Sequence, residues 1–200
     1  MKIIFATGNE NKMVEIREIL KSLPVEIVSM KEAGIKAKVE ENGNTFEENA
    51  LIKARAIAQY TDEIVMADDS GLEIDYLYGE PGIYSARYLG EDTSYDYKNK
   101  VILERMTEAV GSQRSARFVC AIAAIVPQKD GTRKELVVRG TFEGEIAYKA
   151  AGENGFGYDP IFYVPECGCT ASELSMEEKN KRSHRGTGLR LMREELKEVL

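Results

Sequence analysis

Apolar runs that end in polar turns alternate with helical periodicities along the first third of the chain. Residues 2–6 form an apolar run, and residues 7–9 follow it as a polar, glycine-containing turn. This pattern is typical of a buried strand that ends in a turn. Apolar residues then recur at helical spacing over 13–20, and Pro24 closes the segment. Strand, turn and helix predict the opening of an α/β unit.

A second helix is predicted over about 47–60, where a capping-box pattern at Thr45 precedes an apolar stripe. Lys53 falls at the border of this stripe, so its amine can reach toward a neighbouring cleft. Residues 64–67 form another short apolar run. We expect this run to be a buried strand that ends in the polar residues 68–71.

The rest of the chain predicts a helix, two long strands, a short strand and two terminal helices. The helix is expected at 93–110, the two long strands at 118–126 and 134–142, and the short strand at 161–164. The first terminal helix is expected to run for about two turns from Ser175, and the second to begin at about Gly188. The two long strands are expected to pair around a turn at 128–131. The pattern predicts a mixed α/β domain, more antiparallel in its second half, with residues 1–200 as a single folding unit.

Composition and charge narrow the function classes. The chain is 43% apolar and 30% charged, which is close to a soluble globular average. Its 27 basic and 34 acidic side chains give a net charge of −7, which opposes the phosphate attraction that nucleic-acid-binding proteins use. No apolar run approaches the ~18 residues that a membrane span needs, and the N-terminal apolar run is too short for the core of a signal peptide. We therefore expect neither a nucleic-acid nor a membrane partner.

The cysteines and the histidine set the expected compartment and metal chemistry. Cys120, Cys167 and Cys169 are too few and too oddly spaced for a disulfide framework, which favours a reducing, cytoplasmic location. His184 is the only histidine, and no second thiol pair accompanies Cys167 and Cys169. A structural four-ligand zinc site is therefore not expected.

Two segments that follow predicted strands have the residue types that phosphate chemistry needs. Residues 7–12 join a strand to a helix N-terminus and include Lys12, so they could hold a phosphate; an ordinary turn with a helix cap explains them equally well. No P-loop pattern occurs in the chain. Asp68 and Asp69 would repel each other unless a cation compensates, and Mg²⁺ accepts one or two carboxylates. A solvated acidic turn is the alternative.

Two later segments could recognise a base. Residues 155–160 combine glycine freedom, two aromatic rings and Asp159, so a planar base could stack there; an aromatic loop packed on the core is the alternative. His184 and Arg185 are adjacent donors that could read a purine carbonyl oxygen, although a lone histidine is more often structural.

Six motifs in order over nearly the whole chain resemble one family. They are FATGNENK, TFEENALIKAR, ADDSGLEID, GEPGIYSARY, GFGYDPIF and EEKNKRSHRG. Together they closely resemble the inosine triphosphate pyrophosphatase family, also called the noncanonical purine nucleoside triphosphate pyrophosphatase or Ham1/RdgB-like family. The resemblance implies an elongated, two-lobed α/β fold with the active cleft between the lobes. It also implies a homodimer that cleanses the nucleotide pool by Mg²⁺-dependent hydrolysis of ITP, dITP and XTP to the monophosphate and pyrophosphate.

The resemblance also implies roles for particular residues. The triphosphate would be held by Lys53 and by Thr7, Gly8, Asn9, Glu10, Asn11 and Lys12. Asp69 would be both catalytic base and metal ligand, and Glu41 a second metal-site acid, with the adjacent Glu40 as an alternative. Ser70 would contact the substrate. The nucleotide, chiefly its base end, would be bound by Phe156, Gly157, Tyr158, Asp159, Lys179, His184 and Arg185.

The mechanism we expect is in-line attack of water on the α-phosphate, with pyrophosphate as the leaving group. A non-catalytic nucleotide sensor is the rival from another class, since it would keep the loops and aromatic residues without needing Asp69 or a metal. A Maf-like pyrophosphatase for other modified bases is the enzymatic rival.

Overall fold

The computed structural model describes residues 2–7 and 9–199, with only the backbone of Asn11. Within them seven strands form one sheet in the order β2-β1-β3-β4-β5-β6-β7. The strands are β1 Lys2–Phe5, β2 Glu26–Ser29, β3 Ile64–Ile74, β4 Ser115–Pro127, β5 Arg133–Ile146, β6 Phe162–Val164 and β7 Cys169–Thr170. β1 is parallel to β2 and β3, whereas β5, β6 and β7 are antiparallel neighbours. The predicted mixed α/β class is confirmed.

Five α-helices accompany the sheet in the described part of the chain. They are α1 Glu10–Leu20, α2 Phe46–Ala58, α3 Tyr95–Arg105, α4 Met176–Arg182 and α5 His184–Lys197. The Thr45 hydroxyl accepts the Glu48 amide at 3.1 Å, as the capping pattern predicts. Ser175 and Glu178 form a reciprocal capping box that starts the two-turn α4. No helix among residues 2–7 and 9–199 is long and apolar enough to cross a membrane.

The chain divides into two compact units, each with its own apolar core. The first comprises the described residues of Met1–Asp69, Cys120–Gly140 and Arg185–Leu200, and the second comprises Ser70–Val119 and Thr141–His184. In the first, Ile3, Phe5, Met13, Leu189 and Met192 are fully buried in one cluster. In the second, Leu72, Ile102, Ile161 and Phe162 are fully buried in another. The three long strands β3, β4 and β5 each contribute residues to both units.

The predicted turn at 68–71 is wrong, because β3 continues without interruption to Ile74. Leu72 and Ile74 are fully buried beyond the polar residues and supply the apolar side chains that a central strand requires. The polar stretch is tolerated because charged and amide side chains bond to both aspartates. Asp68 and Asp69 therefore lie within a strand, not after one.

Two helix boundaries also differ from the expectation. α3 is shorter than the predicted 93–110, since Ser94 caps its start by accepting the amide of Tyr97. α5 begins at His184 rather than near Gly188, and it contains a buried glycine at 188. A Cβ there would lie 3.2 Å from Ile122 Cδ1, so this glycine lets the helix pack closely against β4. Glycine inside this helix marks close packing and not a helix boundary.

Candidate active site

The first side of the site surrounds Asp68. Successive side chains of a strand point to opposite faces of the sheet, and Asp68 points toward α1 and α5. Its carboxylate accepts from Lys12 Nζ at 2.9 Å and 3.2 Å and lies 3.6 Å from Arg185 Nε. Arg185 also binds Glu15 at 3.0 Å. Two acids and two cations therefore share this face, and Asp68 is only 3% exposed.

The second side surrounds Asp69, which points to the opposite face, toward α2. Asp69 Oδ2 accepts from Asn49 Nδ2 at 3.0 Å, and its Oδ1 lies 3.7 Å from Lys53 Nζ. The same ammonium lies 2.9 Å from Glu41 Oε2. Two carboxylates from distant parts of the sequence therefore converge on one lysine. Lys53 reaches this point from the border of the α2 stripe, as its position in the sequence predicts.

The two adjacent aspartates have opposite electrostatic environments. Burial alone would raise both pKa values, but Lys12 and Arg185 hold the pKa of Asp68 well below its usual range. Burial raises the pKa of Asp69 to about 6, with further increases from Glu41 and Asp68 that Lys53 and Asn49 only partly offset. Burial opposes the charge on Lys53, yet the three carboxylates around it raise the pKa of this ammonium. The raised pKa lets Asp69 exchange a proton near neutral pH.

Glu41, rather than Glu40, joins this group of charges. Glu41 is partly buried against Lys53, whereas Glu40 is exposed to solvent. Glu41 and Asp69 supply hard oxygen ligands around a single positive charge, so the donor set fits a divalent cation such as Mg²⁺. No group of three or more histidine, cysteine or acidic side chains in the described part of the chain is placed to hold a metal. Mg²⁺ does not require one, because water and substrate oxygens complete its coordination.

The turn before α1 has the expected helix-cap geometry. Asn9 Oδ1 accepts the Lys12 amide at 3.3 Å, and Thr7 Oγ1 accepts the Asn9 amide at 3.1 Å. Glu10 is exposed at the first helical position. Gly8 and the side chain of Asn11, both expected to contact phosphate, lie outside the described residues. The side chain of Lys12 connects this segment to Asp68.

The second unit brings together most of the residues expected at the base. Asp159 is 3% exposed and accepts the Phe156 amide at 2.8 Å as well as a bond from Lys179 Nζ. The Lys179 ammonium lies 5.0 Å from the centre of the Phe156 ring, and that ring is 66% exposed. Gly155 has a φ of +81°, and a Cβ there would collide with the Asp159 carboxylate. The segment therefore presents one exposed aromatic face above a fixed ion pair.

Tyr158 and Gly157 lie on the inner side of this segment. Tyr158 is 4% exposed and donates from its hydroxyl to the Ser85 carbonyl at 2.7 Å. Tyr95 of α3 meets the Tyr158 ring edge to face at 5.2 Å. Asn99, also on α3, donates to the Gly157 carbonyl at 3.0 Å. Tyr158 thus anchors the segment, which leaves Phe156 as its exposed ring.

His184 and Arg185 are adjacent in sequence but have different partners. The His184 ring stacks on Phe118, with the ring centres 5.0 Å apart, and belongs to the second unit. Arg185 belongs to the first unit and is bound to acids there. Ser70 follows Asp69 in β3 and is partly buried. Asn49 and Glu15 are site residues that the sequence did not predict, since nothing in their local spacing indicates which distant groups they meet.

The fold and this pair of acids around a lysine define a mixed α/β protein with a site suited to phosphate chemistry. Residues 3–195 match the model of the Ham1 family. The chain is 48% identical to the dITP/XTP pyrophosphatase of Caldanaerobacter subterraneus subsp. tengcongensis, covering 97% of this chain and 95% of that one. It is 46% identical to the dITP/XTP pyrophosphatase of Photorhabdus laumondii, covering 98% of both chains.

Solved structures agree. The HAM1 protein from Coxiella burnetii matches with a TM-score of 0.90 at 41% identity, covering 99% of both chains. The Staphylococcus aureus Ham1 protein matches with a TM-score of 0.89 at 40% identity, covering both chains fully. The chain belongs to the Ham1 family, which confirms the resemblance carried by the six motifs.

Proposed function

We propose that this protein is a pyrophosphatase that hydrolyses ITP, dITP and XTP to the nucleoside monophosphate and pyrophosphate. Relatives named dITP/XTP pyrophosphatase align with nearly the whole chain. The observation that carries the proposal is the convergence of Glu41, Asp69 and Lys53, from three separate segments, on one point. An acid of raised pKa beside a second acid and a lysine can serve the hydrolysis of a phosphoanhydride.

In this proposal Asp69 orients and deprotonates the water that attacks the α-phosphorus. Burial raises the pKa of Asp69 to about 6 in the metal-free protein, so its carboxylate is mostly ionised at neutral pH and can accept a proton. The bond between the α-phosphorus and the bridging oxygen then breaks, and pyrophosphate leaves. Lys12 and Lys53 reach the acidic site and can offset the charge of the phosphates.

We infer that Mg²⁺ is the cofactor and that Glu41 and Asp69 hold it. When bound, the ion would neutralise phosphate charge and favour ionisation of water. The carboxylates of Glu41 and Asp69 both lie close to Lys53, and this pair of hard oxygen ligands suits a divalent cation. Lys53 would then be available to the phosphates.

Base selection is assigned to the second unit and the start of α5. The exposed Phe156 ring offers a stacking face, and the Lys179–Asp159 pair fixes the segment that carries it. We assign His184 and Arg185 to the purine 6-oxygen and adjoining phosphates. Donors set to meet that oxygen would be left unpaired against the amino group of ATP, and such a mismatch can discriminate by about 10⁴.

A substrate panel tests the proposal. The protein is mixed with ITP, dITP, XTP, GTP or ATP in Mg²⁺ or in EDTA, and pyrophosphate and orthophosphate are measured separately. We expect Mg²⁺-dependent pyrophosphate release from the first three. Tight ITP binding without pyrophosphate release would instead identify a sensor, and activity confined to other modified bases would favour a Maf-like enzyme. Comparable kcat/KM for ATP and ITP would contradict the account of base selection.

The homodimer implied by the family resemblance and the cytoplasmic location expected from the cysteines stay predictions. Light scattering coupled to size-exclusion chromatography tests the first, with twice the 22.4 kDa chain mass as the expected result. Cell fractionation tests the second.

A further inference from the structure

Asn49 has a buried side-chain amide on α2 that connects Asp69 of β3 to the segment that contains Glu41. It is 1% exposed. Its Nδ2 donates to Asp69 Oδ2 at 3.0 Å, and its Oδ1 accepts the Gly43 amide at 2.9 Å. One side chain therefore bonds both to β3 and to the segment that contains Glu41.

These bonds fix the orientation of the amide. A backbone N–H can only donate, so the Asn49 oxygen must face Gly43 and its NH₂ must face Asp69. Reversing the amide would leave two donors facing each other in a buried site, which is costly. The amide thus holds one Asp69 oxygen and leaves the other directed toward Lys53.

The contact with Gly43 is equally constrained. A Cβ at position 43 would lie 2.8 Å from Asn49 Oδ1 and 2.7 Å from Glu48 Cβ. Only glycine lets the backbone approach α2 this closely. Glu41 is two residues from this contact, so the position of its carboxylate depends on where Asn49 holds the segment.

We propose that Asn49 is a positioning residue, which fixes the Asp69 carboxylate and the Glu41 segment relative to each other so that the two acids bind one divalent cation. This inference rests on the proposed function. Outer groups that orient metal ligands typically change metal affinity or activity about 10- to 100-fold when removed. Asn49 has the geometry of such a group because its amide bonds both to Asp69 and to the segment that contains Glu41.

The test measures metal binding without turnover and then kinetics. Mn²⁺ is titrated into nucleotide-free protein and followed by electron paramagnetic resonance. We expect Asn49→Ala to bind Mn²⁺ about tenfold more weakly and to lose kcat for ITP about 30-fold, with KM for ITP within about threefold. Asn44→Ala is the matched control, since Asn44 is exposed in the same segment. It should match the unaltered protein within about twofold.

A double-mutant cycle separates positioning from a general loss of structure. If Asn49 acts through Asp69, adding Asn49→Ala to the Asp69→Asn variant should lower its residual rate of ITP hydrolysis by less than about twofold. If Asn49→Ala does not fold, Gly43→Ala breaks the same contact from the other side and should also weaken Mn²⁺ binding, by about fivefold.

Unchanged Mn²⁺ affinity in a folded Asn49→Ala protein would overturn the inference, as would an equal loss of kcat in both backgrounds. Failure of the proposed function is a different result, in which the unaltered protein releases no pyrophosphate from ITP. The Mn²⁺ titration still decides the role of Asn49 in that event, because it requires no turnover.

Discussion

The two faces of β3 have different balances of charge. On the face toward α1 and α5, the acids Asp68 and Glu15 meet two cations, Lys12 and Arg185. Every charge there has an opposite partner, and the pKa of Asp68 lies well below its usual range. Removing one partner from such a buried network is costly, because it leaves an opposite charge buried without compensation.

The surroundings of Asp69, toward α2, are different. Asp69 and Glu41 both lie close to Lys53, which also acts on Asp68, and burial raises the pKa of Asp69 to about 6. A carboxylate that burial disfavours lowers stability, so its presence here calls for a functional explanation. Adjacent residues of one strand can therefore have different roles, one structural and one chemical, because their side chains alternate and have different neighbours.

The largest effect is expected from Asp69→Asn. If Asp69 activates water, kcat for ITP should fall at least about 100-fold, because a single transition-state contact is commonly worth about 3 kcal/mol. The rate of pyrophosphate release at saturating ITP and Mg²⁺ measures this kcat. A kcat near that of the unaltered protein would remove Asp69 from the mechanism.

Asp68→Asn should act on stability. The substitution leaves Lys12 and Arg185 with one acid fewer in a buried setting, so the free energy of unfolding should fall by about 3 kcal/mol. Guanidinium chloride unfolding at pH 7.5 measures this change. An unchanged midpoint would show that the balanced face does not stabilise the fold.

Neutralising the two neighbouring glutamates tests which of them serves the metal. Glu41→Gln should raise the Mg²⁺ concentration for half-maximal rate about tenfold, since Glu41 lies with Asp69 around Lys53. Glu40→Gln makes the same chemical change at the adjacent exposed position and is the control. Equal effects of the two substitutions would count against Glu41 as a metal ligand.

Phe156→Ala tests the base segment separately from the acidic site. The exposed ring can supply about 1–3 kcal/mol of stacking, so KM for ITP should rise about tenfold with a smaller change in kcat. The thermal midpoint should shift little, because the ring is 66% exposed. A larger loss of kcat than of binding would assign Phe156 to the chemical step.

Local spacing predicted local structure well. The Thr45 and Ser175 caps, the α2 stripe and the position of Lys53 at its border follow from patterns within a few residues, and the structure has them. The continuation of β3 through 68–71 did not follow, because a polar, glycine-containing run is typical of a turn. What keeps this run in the sheet is a set of partners supplied by other elements.

Local patterns also identified only some of the residues of the candidate site. Asp69, Lys53 and Glu41 were identified through motifs and residue chemistry, and the structure brings them together. Asn49 and Glu15 act through bonds to residues 20 and 170 positions away, and no local pattern indicates such partners. Long-range hydrogen bonding, more than residue type, separates what the sequence predicts from what the fold adds.

The contrast between the two aspartates is tested by the free energy of unfolding of Asp69→Asn relative to the unaltered protein, measured in metal-free buffer from pH 4 to pH 8. The folded-state pKa of about 6 exceeds the ordinary 3.8, so the folded protein binds this proton more tightly than the unfolded chain does. Stability of the unaltered protein should therefore fall as pH rises from about 4 to about 6 through this group, and the asparagine variant lacks that loss.

We predict that the two proteins are about equally stable near pH 4 and that Asp69→Asn is more stable by about 3 kcal/mol above pH 7, since each unit of the difference between 3.8 and about 6 corresponds to about 1.4 kcal/mol. A variant that is less stable than the unaltered protein at every pH would contradict the claim that burial disfavours the ionised Asp69 carboxylate in the folded protein.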